Sequence, residues 1–138
     1  MVITDKLPLP PKYPTKLKDI GDHLLKRRCD LKLYQSQVAK IMGVSTDTVT
    51  YWENKRSQPQ IYLYGKVIKF LGYNPYLNEI ETFGNKVKNY RFVNSLSKKK
   101  LARLIGIDPT TIKKLEEGWG KPQKASRRKI LNYFKTIL

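Results

Sequence analysis

The chain has 138 residues, with 28 Lys and Arg against 11 Asp and Glu, a net charge of +17 and a pI near 10.0; such an excess points to an anionic partner, either nucleic acid or a membrane surface. One cysteine, Cys29, and one histidine, His23, exclude a disulfide framework and a Cys/His zinc site, so packing alone must hold the fold, as suits a reducing cytoplasm. No apolar run approaches the roughly 20 residues of a membrane span, and the prolines at 8, 10, 11 and 14 leave no signal-peptide core; the expectation is a soluble cytoplasmic protein, nucleoid-associated if bacterial.

Residues 1–16 read as an extended, proline-stiffened arm. It could serve as a polyproline ligand or as a minor-groove arm using Lys12 and Lys16; the reading adopted is that it drapes over the first folded unit of the chain. From residue 20 onward each element occurs twice. Residues 20–71 lie on residues 83–134 at an offset of 63 without a gap, pairing Gly21 with Gly84, Arg28 with Arg91, Ala39 with Ala102, Gly43 with Gly106, Glu53 with Glu116, Pro59 with Pro122 and Lys66 with Lys129. The repeat predicts two units, 17–71 and 83–138, near the lower size limit for independent folding.

In the first helix of each unit Ile20, Leu24 and Arg28, or Phe83, Val87 and Arg91, stand four apart on one stripe. Asp19 and Thr82 are placed to cap it. The next helix holds Val38, Ala39, Ile41 and Met42, or Leu101, Ala102, Leu104 and Ile105, and ends at Gly43 or Gly106, where glycine permits a left-handed turn. Ser45 or Asp108 then caps a third helix, with Pro109 at its first position in the second unit. That helix buries Val49 and Trp52, or Ile112 and Leu115, and turns Thr46, Asp47, Thr50 and Tyr51, or Thr110, Lys113 and Lys114, outward. A fourth helix after the loop proline closes the core with Val67 and Phe70, or Ile130 and Phe134.

Between the units, residues 72–82 carry Tyr73, Tyr76, Leu77 and Ile80 around Asn74-Pro75, too apolar for a floppy tether; packing against one or both units is expected. The charge is unevenly shared. Residues 17–71 have ten Lys and Arg against five Asp and Glu, while residues 83–138 have fifteen against three.

Two short helices, a small residue in the first and a glycine turn before a capped second form a helix-turn-helix pattern. The segments QSQVAKIMGVSTDTVTYWENKRSQP and KKKLARLIGIDPTTIKKLEEGWGKP resemble the Cro/cI repressor-type, or XRE-like, helix-turn-helix family. The resemblance implies an all-α fold of two tandem lambda-repressor-like domains, four to five helices each, whose third helix enters the DNA major groove. It further implies a bridge from the arginine of the first helix to the glutamate ending the third, Arg28 to Glu53 and Arg91 to Glu116, and a phosphate-contacting glutamine at Gln35, replaced by Lys98 in the second unit.

An α-helix fits the major groove, and the first turns of the motif's second helix lie nearest the bases. The base-contacting candidates are therefore Thr46, Asp47, Thr50, Tyr51, Thr110, Lys113 and Lys114. Asp47 could instead favour the helix dipole, and Thr48 and Thr111 the turn. Phosphate-contacting candidates are Gln35, Lys55, Arg56, Lys98 and Lys121, with Lys113 able to serve either purpose. Trp119 either lies against a DNA sugar or packs on the linker, and packing is the reading adopted.

No paired-carboxylate, nucleophile-histidine or phosphate-loop pattern stands out, so neither enzymatic activity nor a cofactor or metal is expected. The expected function is duplex-DNA binding in transcriptional regulation, by one or both repeats, as a homodimer or an intramolecular pseudo-dimer. A linker of about ten residues spans at most ~33–36 Å, close to the ~34 Å between successive major-groove faces, provided it gives up its packing. Two alternatives stay open: an antitoxin-like accessory module in which one repeat alone touches DNA, and sequence-indifferent nucleic-acid binding.

Overall fold

A computed structural model describes residues 13–118, 121–135 and 137–138. Residues 1–12 of the arm, with Lys12, and Trp119 and Gly120 of the last interhelical loop lie outside the described residues, and so do the readings that rest on them. Among the described residues there are eight α-helices and no strand. One compact unit ends at Pro75 and the other begins at Tyr76.

The first unit comprises α1 (Ile20–Asp30), α2 (Gln35–Met42), α3 (Thr46–Glu53), a 3-10 turn at Ile61–Leu63 and α4 (Tyr64–Leu71). The second comprises α5 (Phe83–Val93), α6 (Lys98–Ile105), α7 (Pro109–Glu116) and α8 (Lys124–Phe134). The first three helices of each unit start and stop at the 63-residue offset. The fourth differs at its start, where α8 is helical through the positions of the first unit's 3-10 turn.

Local chemistry sets these ends. The side chains of Asp19, Ser45, Thr82, Ser97 and Asp108 each accept from a backbone N–H in the first turn of the adjoining helix, satisfying donors that have no partner within the helix. For α2 the contact runs the other way, Tyr34 N donating to Gln37 Oε1 at 2.8 Å. Gly43 and Gly106 end α2 and α6 at φ 71° and 88°, a conformation glycine adopts without steric cost.

The core of the second unit is Val87, Leu101, Ala102, Ile105, Ile112, Ile130 and Phe134. The equivalent first-unit positions, Leu24, Val38, Ala39, Met42, Val49, Val67 and Leu71, are buried as well. Phe134 thus stands where Leu71 does, not Phe70, and Phe70 is an additional buried ring. Ile41 and Leu104, members of the apolar set expected in the second helix, are 50% and 58% exposed, because each lies round the helix from the buried stripe of Val38, Ala39 and Met42, or Leu101, Ala102 and Ile105. Leu115, standing where Trp52 is buried, is only partly buried.

Residues 13–18 lie along α1, as Tyr13 OH donates to Asp30 Oδ1 (2.7 Å) and Lys18 N to Asp22 Oδ2 (2.9 Å). At the other end of this unit Tyr73 OH is 2.7 Å from His23 Nδ1. Tyr76 belongs to the second unit, its ring edge-on to Phe92 at 5.3 Å.

Lys32 and Ser95 occupy matching turns after α1 and α5 in left-handed backbone, φ 56° and 55°. The turn is closed by Leu33 N donating to Arg28 O and Leu96 N to Arg91 O. A side chain in this conformation costs roughly 1–2 kcal/mol, partly offset for glycine by its freer unfolded chain. Lys32→Gly should therefore raise stability by about 0.5–1 kcal/mol in urea unfolding; no gain would show that the turn tolerates lysine without strain.

Candidate nucleic-acid interface

The geometry of α3 is set by an ion pair reaching across from α1. Arg28 Nε donates to Glu53 Oε2 at 2.6 Å and Nη2 to Oε1 at 2.9 Å, while Nη1 donates to Leu33 O at 3.0 Å. In the second unit Arg91 makes the same three bonds, to Glu116 at 2.7 and 2.9 Å and to Leu96 O at 3.2 Å. The side chains of Arg91 and Glu116 are 5% and 4% exposed, those of Arg28 and Glu53 16% and 5%. Two parallel N–H···O bonds give this pairing direction as well as charge. Glu53 and Glu116 are the last residues of α3 and α7, so each pair ties the end of its helix to the scaffold.

In the first unit the network continues to the outer surface. Gln35 Nε2 donates to Glu53 Oε1 (2.9 Å), and Gln35 Oε1 accepts from Thr50 Oγ1 (2.8 Å), which also lies 3.1 Å from Thr46 O. Gln35 and Thr50, expected to point at DNA, thus have their polar atoms bonded to one another and to the ion pair. Thr46, Asp47 and Tyr51 are exposed on α3. The Arg56 guanidinium lies 5.8 Å from the Tyr51 ring centroid, a cation–π distance. Lys55 is held back: its Nζ is 3.4 Å from Asp19 and 3.3 Å from Asp22. Burial pushes the Asp22 carboxyl up, but the Lys18 amide and the Lys55 ammonium outweigh it and hold it below the usual carboxylate range.

The second unit keeps the ion pair and none of the rest. Lys98 and Lys113 stand where Gln35 and Thr50 do, Lys114 where Tyr51 does and Thr110 where Asp47 does. Lys98, Lys113, Lys114 and Lys121 are exposed, and no hydrogen bond or ion pair ties their ammonium groups to the described residues. Thr110 is exposed too, its amide bonded to Asp108 Oδ1 at 2.7 Å. Hydrogen bonding from Thr110 is the main reason the Asp108 carboxyl sits below its usual range.

Two features carry structure that spacing alone does not reveal. Gly21 and Gly84 lie where α1 and α5 meet the ends of α3 and α7, and a Cβ on either would strike the backbone carbonyl of Trp52 or Leu115. Lys66 and Lys129 cap the opposite side of the motif, their Nζ atoms donating to Met42 O (3.4 Å) and Gly106 O (3.0 Å) at the ends of α2 and α6. Both pairs recur at the offset of 63, and that recurrence was their only signal in the sequence.

Residues 24–78 match the family model described as helix-turn-helix. The matched stretch takes in α2, the glycine turn and α3, and it supports a DNA-binding helix-turn-helix protein. No curated protein and no solved structure matches the chain. No helix among the described residues is long and apolar enough to cross a membrane.

Proposed function

We propose that the chain is a transcriptional regulator that reads duplex DNA through the major groove with α3, and that its two units are tandem copies of one helix-turn-helix domain. The observation that carries the reading is the outward face of α3. Thr46, Asp47 and Tyr51 are exposed on a helix whose far end is fixed by the Arg28–Glu53 pair and whose near side is braced by Gln35 and Thr50. Pre-set side chains on a rigid element are what base discrimination requires, and each good bidentate contact to a base is worth about 1–3 kcal/mol. Asp47 supplies an acceptor for cytosine N4, and the Thr46 methyl suits a thymine methyl.

Joining two such units in one chain replaces the dimer that a single unit would need to grip adjacent groove faces. Arg56 and Lys121 follow α3 and α7 and are placed to hold phosphates. Lys55 serves the same end only by leaving Asp19 and Asp22, and Gln35 contributes chiefly by bracing Thr50.

Selection of bound sequences from a random duplex pool with the whole chain tests this reading. The expected result is an enriched motif that weakens by roughly 1–3 kcal/mol when Asp47 is changed to Ala. No enrichment, or a motif untouched by Asp47→Ala and Tyr51→Ala, would overturn it.

A further inference from the structure

We propose that the second unit is not a second reader of sequence but a sequence-indifferent clamp on the phosphates of the same duplex, an inference that rests on the DNA-binding reading above. The two units supply the comparison, because their first three helices coincide at the 63-residue offset while their outer faces do not.

On α3 the four outward positions hold Thr46, Asp47, Thr50 and Tyr51; on α7 they hold Pro109, Thr110, Lys113 and Lys114. In the first set every side chain carries an oxygen, and Thr50 is locked through Gln35 to Glu53. In the second set Pro109 has no polar side-chain atom, and Thr110 alone can both donate and accept. At the junction of the two motif helices, the bonded amide and hydroxyl of Gln35 and Thr50 give way to two ammonium groups, Lys98 and Lys113. Like charges cannot bond to each other as the amide and hydroxyl do, so the brace is lost and positive charge gathers in its place.

Lysine is a point charge on a flexible stem, with three rotatable donors and no acceptor. No hydrogen bond to the described residues fixes these three ammonium groups, although Asp108 attracts that of Lys114. Reading a base edge demands fixed geometry, whereas holding a phosphate demands charge within reach. The surroundings agree with the second task. Residues 83–138 carry a net +12 against +5 for residues 17–71, and among the described residues no acidic group pairs with Lys98, Lys113 or Lys114 as Asp19 and Asp22 pair with Lys55. The second unit thus places cations where the first has the uncharged Gln35, Thr50 and Tyr51, and leaves them for the ligand. What survives there is the Arg91–Glu116 pair, the glycine turn and the Lys129 cap, which present the helix but do not read with it.

The test is DNA binding by the full chain and by the full-chain variant K98Q/K113Q/K114Q, from 50 to 200 mM salt, on the duplex selected by the unaltered chain and on a scrambled duplex. These are exposed side chains, and an unchanged helical circular dichroism spectrum confirms that the variant folds. Loss of three phosphate contacts should make the dependence of log affinity on log salt shallower by about 2.7, so that the affinity lost between 50 and 200 mM shrinks by about 40-fold. Both duplexes should weaken by the same factor, leaving their affinity ratio unchanged.

A ratio that collapses while the salt slope holds would overturn the proposal and make α7 a reader. So would a variant that binds like the unaltered chain, since the second unit would then not touch DNA. Binding of both duplexes by the unaltered chain without preference would count against base reading by α3 and leave the slope experiment intact. No binding by the unaltered chain would overturn the DNA-binding reading, and the clamp with it.

Discussion

Arg91→Leu should destabilise the second unit by about 3–5 kcal/mol, and it is the single substitution with the largest expected effect. Arg91 and Glu116 are almost wholly removed from solvent, so deleting the cation leaves a carboxylate in a medium that penalises it and Leu96 O without its donor. It also removes a guanidinium lying 4.7 Å from the Phe92 ring. Breaking such a pair from one side costs about 3–5 kcal/mol. A domain of this size has roughly 3–9 kcal/mol in total, at ~0.05–0.15 kcal/mol per residue.

Arg28→Leu should cost less for a visible reason. Glu53 keeps the Gln35 amide as a donor, and Arg28 is the more exposed arginine, whereas Lys98, at the matching position of the second unit, has no amide to offer. Urea unfolding followed by residue-resolved hydrogen exchange on the full chain separates the two units. Equal losses in both, or a loss under about 1 kcal/mol at Arg91, would show that these pairs behave as surface salt bridges. The double variant R91L/E116L should recover much of the stability lost in R91L, because the penalty lies in the orphaned charge more than in the lost attraction.

Most of the scaffold was legible because it is periodic. Apolar spacing marks the faces of α1 to α4 and their copies, and the caps and glycine turns announce themselves as residue types at fixed offsets from those faces. The two ion pairs were what the resemblance to the Cro/cI-type family implied, with both partners recurring at the 63-residue offset, although the bidentate geometry and the third bond to Leu33 or Leu96 had no signature. Interactions whose partners meet only after helices cross were not legible. Periodicity puts Thr50 on the outer face of α3, but the N-terminus of α2 comes close enough there for Gln35 to take its hydroxyl. Lys55 reads as a free loop cation until Asp19 and Asp22, one turn apart at the start of α1, are seen to converge on it. Ile41 and Leu104 count among the apolar residues of the second helix, but they lie off its buried stripe and stay in solvent. The linker, too, divides where the sequence showed one segment, Tyr73 bonding to His23 and Tyr76 packing on Phe92.

Gly21 and Gly84 show how far the scaffold constrains the placement of α3 and α7. In the middle of an exposed helix, Gly→Ala is favourable by up to ~1 kcal/mol, so propensity alone predicts that Gly21→Ala stabilises the first unit. The packing predicts the reverse. The added methyl would overlap the carbonyl oxygen of Trp52, with its carbonyl carbon and Asp19 Oδ1 each 3.3 Å away. The first of these is backbone at the end of α3, and it cannot swing aside as a side chain would. Either α1 lifts off α3 or α3 tilts, and overpacking of this kind costs about 1–3 kcal/mol. Gly84→Ala meets the same obstacle at Leu115 O, with Glu116 Cα at 3.3 Å.

The functional consequence differs between the units. On the proposed placement of α3 in the major groove, a tilt displaces Asp47 and Tyr51 relative to the groove, so Gly21→Ala should lower the ratio of specific to scrambled-duplex affinity well beyond what its stability loss explains. Gly84→Ala should leave that ratio alone, since flexible lysines tolerate a shifted helix. Measured on folded protein well below the unfolding midpoint, a ratio unmoved by Gly21→Ala would mean that the glycine serves packing alone and that α3 reads DNA from a position the contact with α1 does not set.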